Sequence, residues 1–246
     1  MDEKIKQPWD SDLKRYWKGK LRVNQLADDY VEQINKEVLR EKVRKYDLEI
    51  FPAICFSRQI GIGALELAEK TAKKIGYRVI DREVIETISN ATALNKASIA
   101  TFDERYPGKV RELMGRIFGD RAFDLDKYTR QLFVSAFFLA HMDKTIFVGR
   151  GLHLMLPRNR VFVVRCIGSI DHRIENMVQS LKVSRQKAKK ILNQADQEQK
   201  DFFKKVHGKE SAPPQEFDLI INMDSIKDNA AADAIVTLFE SCFHTE

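Results

Sequence analysis

The chain has 246 residues and a formal net charge of +6, with 43% apolar and 32% charged residues. A disordered chain would contain fewer apolar residues for this much charge, so the composition indicates a folded globular protein. The length accommodates one large α/β domain, or a smaller domain with an extension. Cys55, Cys166 and Cys242 lie far apart and form no C-x-x-C pair, which argues against a zinc or redox site and favours a reducing, cytoplasmic location.

The N-terminus reads MDEKIKQPWD and is charged from the start, so it lacks the apolar stretch of a signal peptide. No segment approaches the roughly 18 consecutive apolar residues of a membrane-spanning helix. We therefore expect neither secretion nor insertion into a membrane.

The first fifty residues are predicted to be a separate helical extension. In residues 25–46 apolar side chains recur every three or four positions, which is typical of an amphipathic helix. Such a helix packs on the main domain, on a protein partner or on a second copy of the chain. Its charges nearly balance, which does not favour a nucleic-acid arm.

The remaining chain alternates predicted strands and helices. The strands are short apolar runs, as expected for strands buried on both faces: residues 52–56, 77–81, 145–148, 161–167 and 217–222. The helical patterns between and after them cover residues 63–76, 82–91, 110–118, 127–141, 170–181, 184–206 and 229–243. Alternation of this kind predicts a mostly parallel five-stranded sheet with helices on both faces and ligands at the carboxyl ends of the strands.

The turn between the first strand and the first helix of this pattern contains Gly61 and Gly63. Both glycines can adopt positive φ and bring backbone N–H groups close to an anion, and the following helix points its N-terminus at the same place. The strict phosphate-loop pattern G-x-x-x-x-G-K-[ST] is not met, because Ala64 and Leu65 occupy the lysine and hydroxyl positions. The turn is either an anion site or a plain strand-to-helix connection.

Four arginines follow the predicted carboxyl ends of strands: Arg58, Arg82, Arg150 and Arg173. A guanidinium group binds two phosphate oxygens at once, so these positions suit phosphate binding. Arg150 is the best placed, because it lies between two glycines. Asp81 precedes a helix and either orients an acceptor or an arginine, or caps the helix.

Residues 158–209 contain a local excess of basic residues. Such a segment closes over phosphates, lies along a nucleic acid or forms a solvated helix face, and no nucleic-acid motif accompanies it. The five histidines show no spacing typical of metal ligands, so no metal site made by histidines is expected.

Four motifs in order resemble those of the cytidylate kinase-like family of P-loop nucleoside monophosphate kinases. They are S-R-Q-I-G-I-G at residues 57–63, D-R-E-V-I at 81–85, V-G-R-G at 148–151 and the aromatic-basic segment and strand at 202–226. The resemblance covers residues 51–240 and leaves the extension outside.

The resemblance implies a three-layer P-loop core over residues 51–246, with a helical acceptor region at 91–142 and a lid at 184–207. It implies transfer of a phosphoryl group from ATP, with Mg²⁺, to CMP or a related small acceptor. Backbone of the loop would bind the nucleotide; its residues are Ser57, Gln59, Gly61, Ile62, Gly63, Ala64 and Leu65. Arg58, Arg150 and Arg173 would serve catalysis, while Asp81 and Arg82, again with Arg150, would face the acceptor.

The chain departs from the family pattern at three charge-handling positions. Ala64 and Leu65 replace a glycine and an arginine, and the lid arginine expected after Asp196 is replaced by Gln199 and Lys200. An arginine finger contributes about 10³ to 10⁵ in rate. The alternative hypothesis is therefore a weakened or inactive P-loop module that senses nucleotide or binds a partner.

Overall fold

A computed structural model describes residues 20–40, 50–90, 114–117, 119, 125–210 and 212–243. Its strands are β1 Ala53–Arg58, β2 Arg78–Ile80, β3 Thr145–Val148, β4 Val161–Ile167 and β5 Leu219–Asn222. Its long helices are α1 Lys20–Arg40, α2 Ala64–Ile75, α3 Arg82–Asn90, α4 Lys127–Met142, α5 Ile170–Leu181, α6 Arg185–His207 and α7 Asp228–Phe243. Short 3₁₀ turns lie at Leu152–Leu154, Arg158–Arg160 and Pro214–Glu216.

The five strands form one sheet in the order β2-β3-β1-β4-β5, and all neighbours pair in parallel. The predicted α/β class and five-stranded sheet are confirmed, and the sheet is wholly rather than mostly parallel. Strand boundaries differ from the prediction by up to two residues. Strand β2 is shorter at its end because Asp81 turns to cap α3, accepting a hydrogen bond from Val84 N at 3.0 Å.

The central strands β1, β3 and β4 are buried on both faces, which explains their mostly apolar sequences. On one face, Cys55 and Val163 pack with α1, α3 and α4. On the other face, Ile54 and Phe162 pack with α2 and α7. Helices on both sides of a parallel sheet make three layers, as predicted, and direct the carboxyl ends of the strands towards one edge.

The extension contributes α1 to the first of these faces. Val23, Ala27 and Val31 are buried there at a spacing of four residues, which is one helical turn. Arg78 of the edge strand β2 lies over the Tyr30 ring, with 4.9 Å from Cζ to the ring centroid. Within the described residues the extension therefore packs on its own domain; residues 41–46 of the predicted helix lie outside them.

The long helix α6 lies across the carboxyl end of the sheet and packs on α5. Ser184 caps its N-terminus, and Gly208 ends it in the left-handed conformation. Its Ala188 and Leu192 are buried against Ile174 and Met177 of α5. The predicted helix at 110–118 is described only at residues 114–117, which are helical. None of the described helices is long and apolar enough to cross a membrane.

Candidate active site

The glycine turn after β1 leaves the N-terminus of α2 open. Gly61 and Gly63 have φ values of +78° and +77°, and Gly63 caps the helix without any side-chain hydrogen bond. Leu67 N–H donates a hydrogen bond to Gly63 O at 3.2 Å. The backbone N–H groups that precede Leu67 in the first turn of α2 have no carbonyl within the helix to bind. They are therefore available to an anion at this end of α2.

Helix α5 supports the turn from behind. Arg173 donates from Nε to Ile60 O at 2.7 Å, and Asn176 donates to Gly61 O at 3.1 Å. A Cβ at Gly61 would lie 2.9 Å from Arg173 O and 3.2 Å from Met177 Cγ, so only glycine fits there. The contact fixes the turn on a rigid helix.

Three predicted loop residues use their side chains for contacts within the protein. Ile62 is buried between the sheet and α2. Gln59 accepts a hydrogen bond from Gly168 N at 2.8 Å, which joins the turn to the end of β4. Ser57 accepts one from Arg165 at 2.7 Å. These side chains shape the loop, and any ligand there would meet its backbone.

An open cleft of about 660 Å³ lies beside the open end of α2. Gly63 and Glu66 form one side of the cleft, His172 and Asn176 of α5 form another, and residues 223–229 after β5 form the third. The volume lies within the range of about 300–1,000 Å³ that small-molecule sites occupy. A nucleotide with its phosphates at the turn would place its base and sugar here.

Arg150 lies in the turn after β3 with φ of +55°, a left-handed conformation that is uncommon for a residue other than glycine. Its guanidinium group lies 4.1 Å from the centroid of the Phe202 ring and pairs with Glu86 of α3. Its Nε is buried and has no hydrogen-bond partner among the residues that the structure describes. Strain and an unused buried donor at one residue point to a functional role.

Burial lowers the pKa of Arg150 well below its ordinary value, and the nearby charges of Arg82 and Arg58 lower it further. Glu198 of α6 acts in the opposite direction. Arg58 itself is buried, and its Nη2 lies 4.0 Å from where a Cβ would stand on Gly149. Three of the four predicted arginines thus converge, and their mutual repulsion favours an anion between them.

Helix α6 covers this arginine cluster of Arg58, Arg82 and Arg150. Gln199 donates to Arg58 O at 3.0 Å, and His207 Nε2 lies 2.9 Å from Arg150 O. The space left between the cluster and α6 is only about 50 Å³. Phe202 and Phe203 of α6 line this space.

Arg173 is placed differently from the other three arginines. It is almost fully buried, and its Nη2 binds both carboxylate oxygens of Asp196 on α6, at 2.6 and 2.7 Å. Its guanidinium group is therefore used to join α5, α6 and the loop. It also lines a second cavity of about 220 Å³ on the other side of Gln199.

Arg165 was not predicted from the sequence; it lines this second cavity together with Arg58 and Arg173. Burial is the largest cause that lowers the pKa of Arg165. The available signal was an arginine inside the otherwise apolar strand VFVVRCI. Glu86 was also missed, although it follows Arg82 by one helical turn. Asp81 is buried and caps α3, which was one of the two roles predicted for it.

Residues 53–225 match the model of the cytidylate kinase-like family. The chain belongs to this family. The match begins at β1, so α1 and the rest of the extension lie outside it. No curated protein sequence matches the chain significantly.

Solved structures are similar to this family member at low sequence identity. An uncharacterized protein from Eubacterium ventriosum is 16% identical with a TM-score of 0.60, and the match covers 78% of this chain and 99% of that one. It has the same fold. Shikimate kinase from Bacteroides thetaiotaomicron matches at 13% identity and a TM-score of 0.39, over 78% of this chain and 98% of that one. Dephospho-CoA kinase from Campylobacter jejuni matches at 17% identity and a TM-score of 0.35, over 80% of this chain and 100% of that one.

The structure shows what the departures from the family pattern do in this member. Ala64 is buried in the core below the turn, and Leu65 packs between the two apolar clusters flanking α2. Gln199 holds α6 to the end of β1. These residues stabilise the site by packing and hydrogen bonding, and the positive charge near the turn comes from arginines on other elements.

Proposed function

We propose that the chain is a phosphotransferase that moves the γ-phosphoryl group of ATP to CMP or a related small acceptor. One observation supports it above all: an open helix N-terminus at a glycine turn lies between a nucleotide-sized cleft and a partly buried arginine cluster. Kinase-like chemistry also agrees with the family to which the chain belongs.

The donor would bind through backbone groups. The N–H groups after Gly61 and those of the first turn of α2 would hold the β- and γ-phosphates, and the helix dipole favours the negative charge. The base and sugar of ATP would occupy the cleft between α2, α5 and residues 223–229. No side chain at positions 64 and 65 contributes charge or a hydroxyl group.

The acceptor phosphate would bind the arginine cluster. In the transfer step an oxygen of that phosphate forms a bond to the γ-phosphorus while the bond from this phosphorus to the β-bridging oxygen breaks, which releases ADP. Catalysis of this reaction consists mainly of alignment and of stabilising charge on the transferred group. Arg58 lies between the glycine turn and Arg150, and would contact that group; Arg165 and Arg173 would stay behind it.

The donor set suits a magnesium ion that enters with ATP. The described residues contain no group of three His, Cys, Asp or Glu that could hold a metal ion. Mg²⁺ commonly keeps several waters and binds substrate phosphates with few protein ligands. When bound, it would neutralise phosphate charge; Glu198 is a carboxylate that lines the cavity at the arginine cluster.

Turnover would require α6 to move. A space of about 50 Å³ holds only a few water molecules. Three polar contacts from Asp196, Gln199 and His207 hold the helix over the site, in addition to the apolar packing of Ala188 and Leu192 on α5. Substrate binding would displace α6 and its return would exclude water.

A coupled assay that records ADP formation with a panel of nucleoside monophosphates tests the proposal. The expected result is turnover with CMP or a related monophosphate that depends on ATP and Mg²⁺. The control is Gly63→Asp, which places a negative charge at the open helix end and should abolish turnover. Equal rates for the two proteins would refute the catalytic role of the turn.

The second candidate is a nucleotide sensor or partner-binding module without catalysis. The observation that favours it is the use of Ala64 and Leu65 for packing in place of phosphate ligands. Calorimetry with ATP, with and without Mg²⁺, separates the two candidates when combined with the assay. Binding without turnover supports the sensor, and absence of binding removes both.

A further inference from the structure

The second cavity, of about 220 Å³, lies beside Gln199 and is lined by residues of the sheet and of α6. Arg165 of β4 lines it on the sheet side, and Lys200 of α6 lines it on the helix side. Its volume is below the range of about 300–1,000 Å³ that is typical of small-molecule sites, so it suits a compact ion better than a nucleotide. The proposed transfer step makes no use of this cavity.

Arg165 is a partly buried cation that forms no ion pair with a carboxylate among the described residues. Its Nη1 donates to Ser57 Oγ at 2.7 Å, and its Cζ lies 5.6 Å from the centroid of the Phe217 ring. Burial is the main cause that lowers the pKa of Arg165, and the charge of Arg173 lowers it further, while nearby acidic groups act in the opposite direction. A charge removed from water without a counter-charge raises the free energy of the folded chain, and a bound anion would lower it.

Two carboxylates line the cavity, and each is already paired with another cation. Asp196 binds Arg173 Nη2 through both of its oxygens, at 2.6 and 2.7 Å. Glu210 pairs with Lys204 at 2.6 Å, and its side chain is 75% exposed. Each pair is neutral as a unit, so neither carboxylate neutralises Arg165.

Lys200 adds a second positive charge to the cavity. It is exposed, and no ion pair engages it in the part of the chain that the structure describes. Arg58 also lines the cavity, but it has further contacts, and the charge balance does not depend on it. Arg165 and Lys200 alone leave the cavity with an excess of positive charge.

We propose that this cavity binds a free, compact oxyanion of the phosphate or sulfate type, which connects β4 to α6 through Arg165 and Lys200. The planar fork of an arginine binds two oxygens of such an ion, and the lysine ammonium group binds a third as a point charge. A tetrahedral ion presents oxygens in several directions, so it can bind side chains from two elements at once. The inference goes beyond the proposed function and does not depend on phosphoryl transfer.

This anion site is separate from the sites assigned to ATP and to the acceptor. Gln199 lines both the second cavity and the space at the arginine cluster, and its donation to Arg58 O at 3.0 Å holds it between them. None of residues 61–65, which form the glycine turn and the start of α2, lines the second cavity. Phosphates bound at that turn would therefore leave this cavity open to another anion.

Calorimetric titration of the full chain with sulfate tests the inference in an Arg150→Gln background, which lacks one arginine of the acceptor site. We expect Arg150→Gln to retain sulfate binding. Adding Arg165→Gln should weaken this binding at least about tenfold, because a charge-assisted contact is lost. The matched control adds Arg185→Gln, which removes the same charge from an exposed position on α6 that pairs with Asp171. The control should change the sulfate affinity by less than about twofold.

Absence of sulfate binding by Arg150→Gln, or equal affinities of the two double variants, would overturn the inference. If the variant with Arg165→Gln does not fold, Lys200→Gln takes its place. Because Lys200 is exposed, its replacement should weaken sulfate binding by only about threefold. An unchanged affinity would contradict the proposed site.

Hydrogen exchange provides a second and local measurement. Sulfate bound between β4 and α6 should slow amide exchange in residues 196–207 at least about threefold in Arg150→Gln. The effect should disappear when Arg165→Gln is added, although Arg165 lies on a different element. Exchange in α6 that does not respond to sulfate in Arg150→Gln would contradict the connection between β4 and α6.

Titration with ATP distinguishes a free ion from the phosphates of a bound nucleotide. Arg165→Gln in the otherwise natural chain should change ATP affinity by less than about twofold, as expected for independent sites. A tenfold loss of ATP affinity would show that nucleotide phosphates enter this cavity and would overturn a separate anion site. Sulfate binding requires neither ATP nor turnover, so its failure would leave phosphoryl transfer untouched.

Discussion

Replacement of Gly61 by alanine tests whether α5 fixes the phosphate-binding turn. The substitution introduces two separate costs. The left-handed conformation at φ +78° costs a residue with a Cβ about 1–2 kcal/mol. The new Cβ would also lie 2.9 Å from Arg173 O, and a backbone oxygen in the first turns of α5 cannot rotate away.

Overpacking of this kind costs about 1–3 kcal/mol. The total loss of unfolding free energy for Gly61→Ala is then about 2–5 kcal/mol. Gly76→Ala is the control, because Gly76 has φ +69° and nothing lies within 4 Å of its added Cβ. It should lose only about 1 kcal/mol, the cost of the backbone conformation alone.

Urea unfolding monitored by circular dichroism gives both values, and calorimetry with ATP gives the effect on binding. We expect Gly61→Ala to be less stable than Gly76→Ala by at least 1 kcal/mol and to lose ATP affinity, while Gly76→Ala retains it. Equal destabilisation, or undiminished ATP binding by Gly61→Ala, would refute the account of the turn.

Three further predictions concern single residues. Asp81→Ala should lower the unfolding free energy by about 1 kcal/mol and Asp81→Asn by much less, since asparagine also caps helices; retained turnover in Asp81→Asn would exclude a role for the carboxylate charge. His153 is buried, and burial is the main cause that lowers its pKa to about 3. The unfolded chain binds this proton near pH 6.5, so the unfolding free energy should decrease as pH falls from 6.5 towards 3, by up to about 1.4 kcal/mol per pH unit. Unfolding measurements on His153→Phe should show a flatter dependence on pH. Arg150→Lys keeps the charge but not the planar fork, so kcat/KM for the acceptor should fall at least about tenfold with a change below about 1 kcal/mol in stability; an unaltered kcat/KM would remove Arg150 from the acceptor site.

The strands and their order along the chain could be predicted because a strand buried on both faces has apolar residues at nearly every position. The central strands β1, β3 and β4 are mostly apolar runs, and the helices between the strands carry the spacing of one buried side. The order of the strands in the sheet is not encoded locally. It depends on which crossover packs on which face, so the placement of β3 between β2 and β1 emerged only from the structure.

The candidate site could be predicted where function requires glycine or a charge next to a strand end. Gly61, Gly63 and Arg150 carried such signals. Arg165 did not, because strand β4 continues past its position and no turn marks it. Side-chain direction was also inaccessible: Arg173 binds Asp196, which is 23 residues later on another helix.

The most direct test of the central claim is ³¹P NMR of the chain mixed with ATP, Mg²⁺ and CMP. Phosphoryl transfer predicts that the γ-phosphorus signal of ATP decays while the signals of ADP and of a second nucleoside diphosphate grow at equal rates. The Gly63→Asp variant should leave the spectrum unchanged. An ATP signal that persists with the natural chain, across CMP and the other nucleoside monophosphates, would contradict the claim.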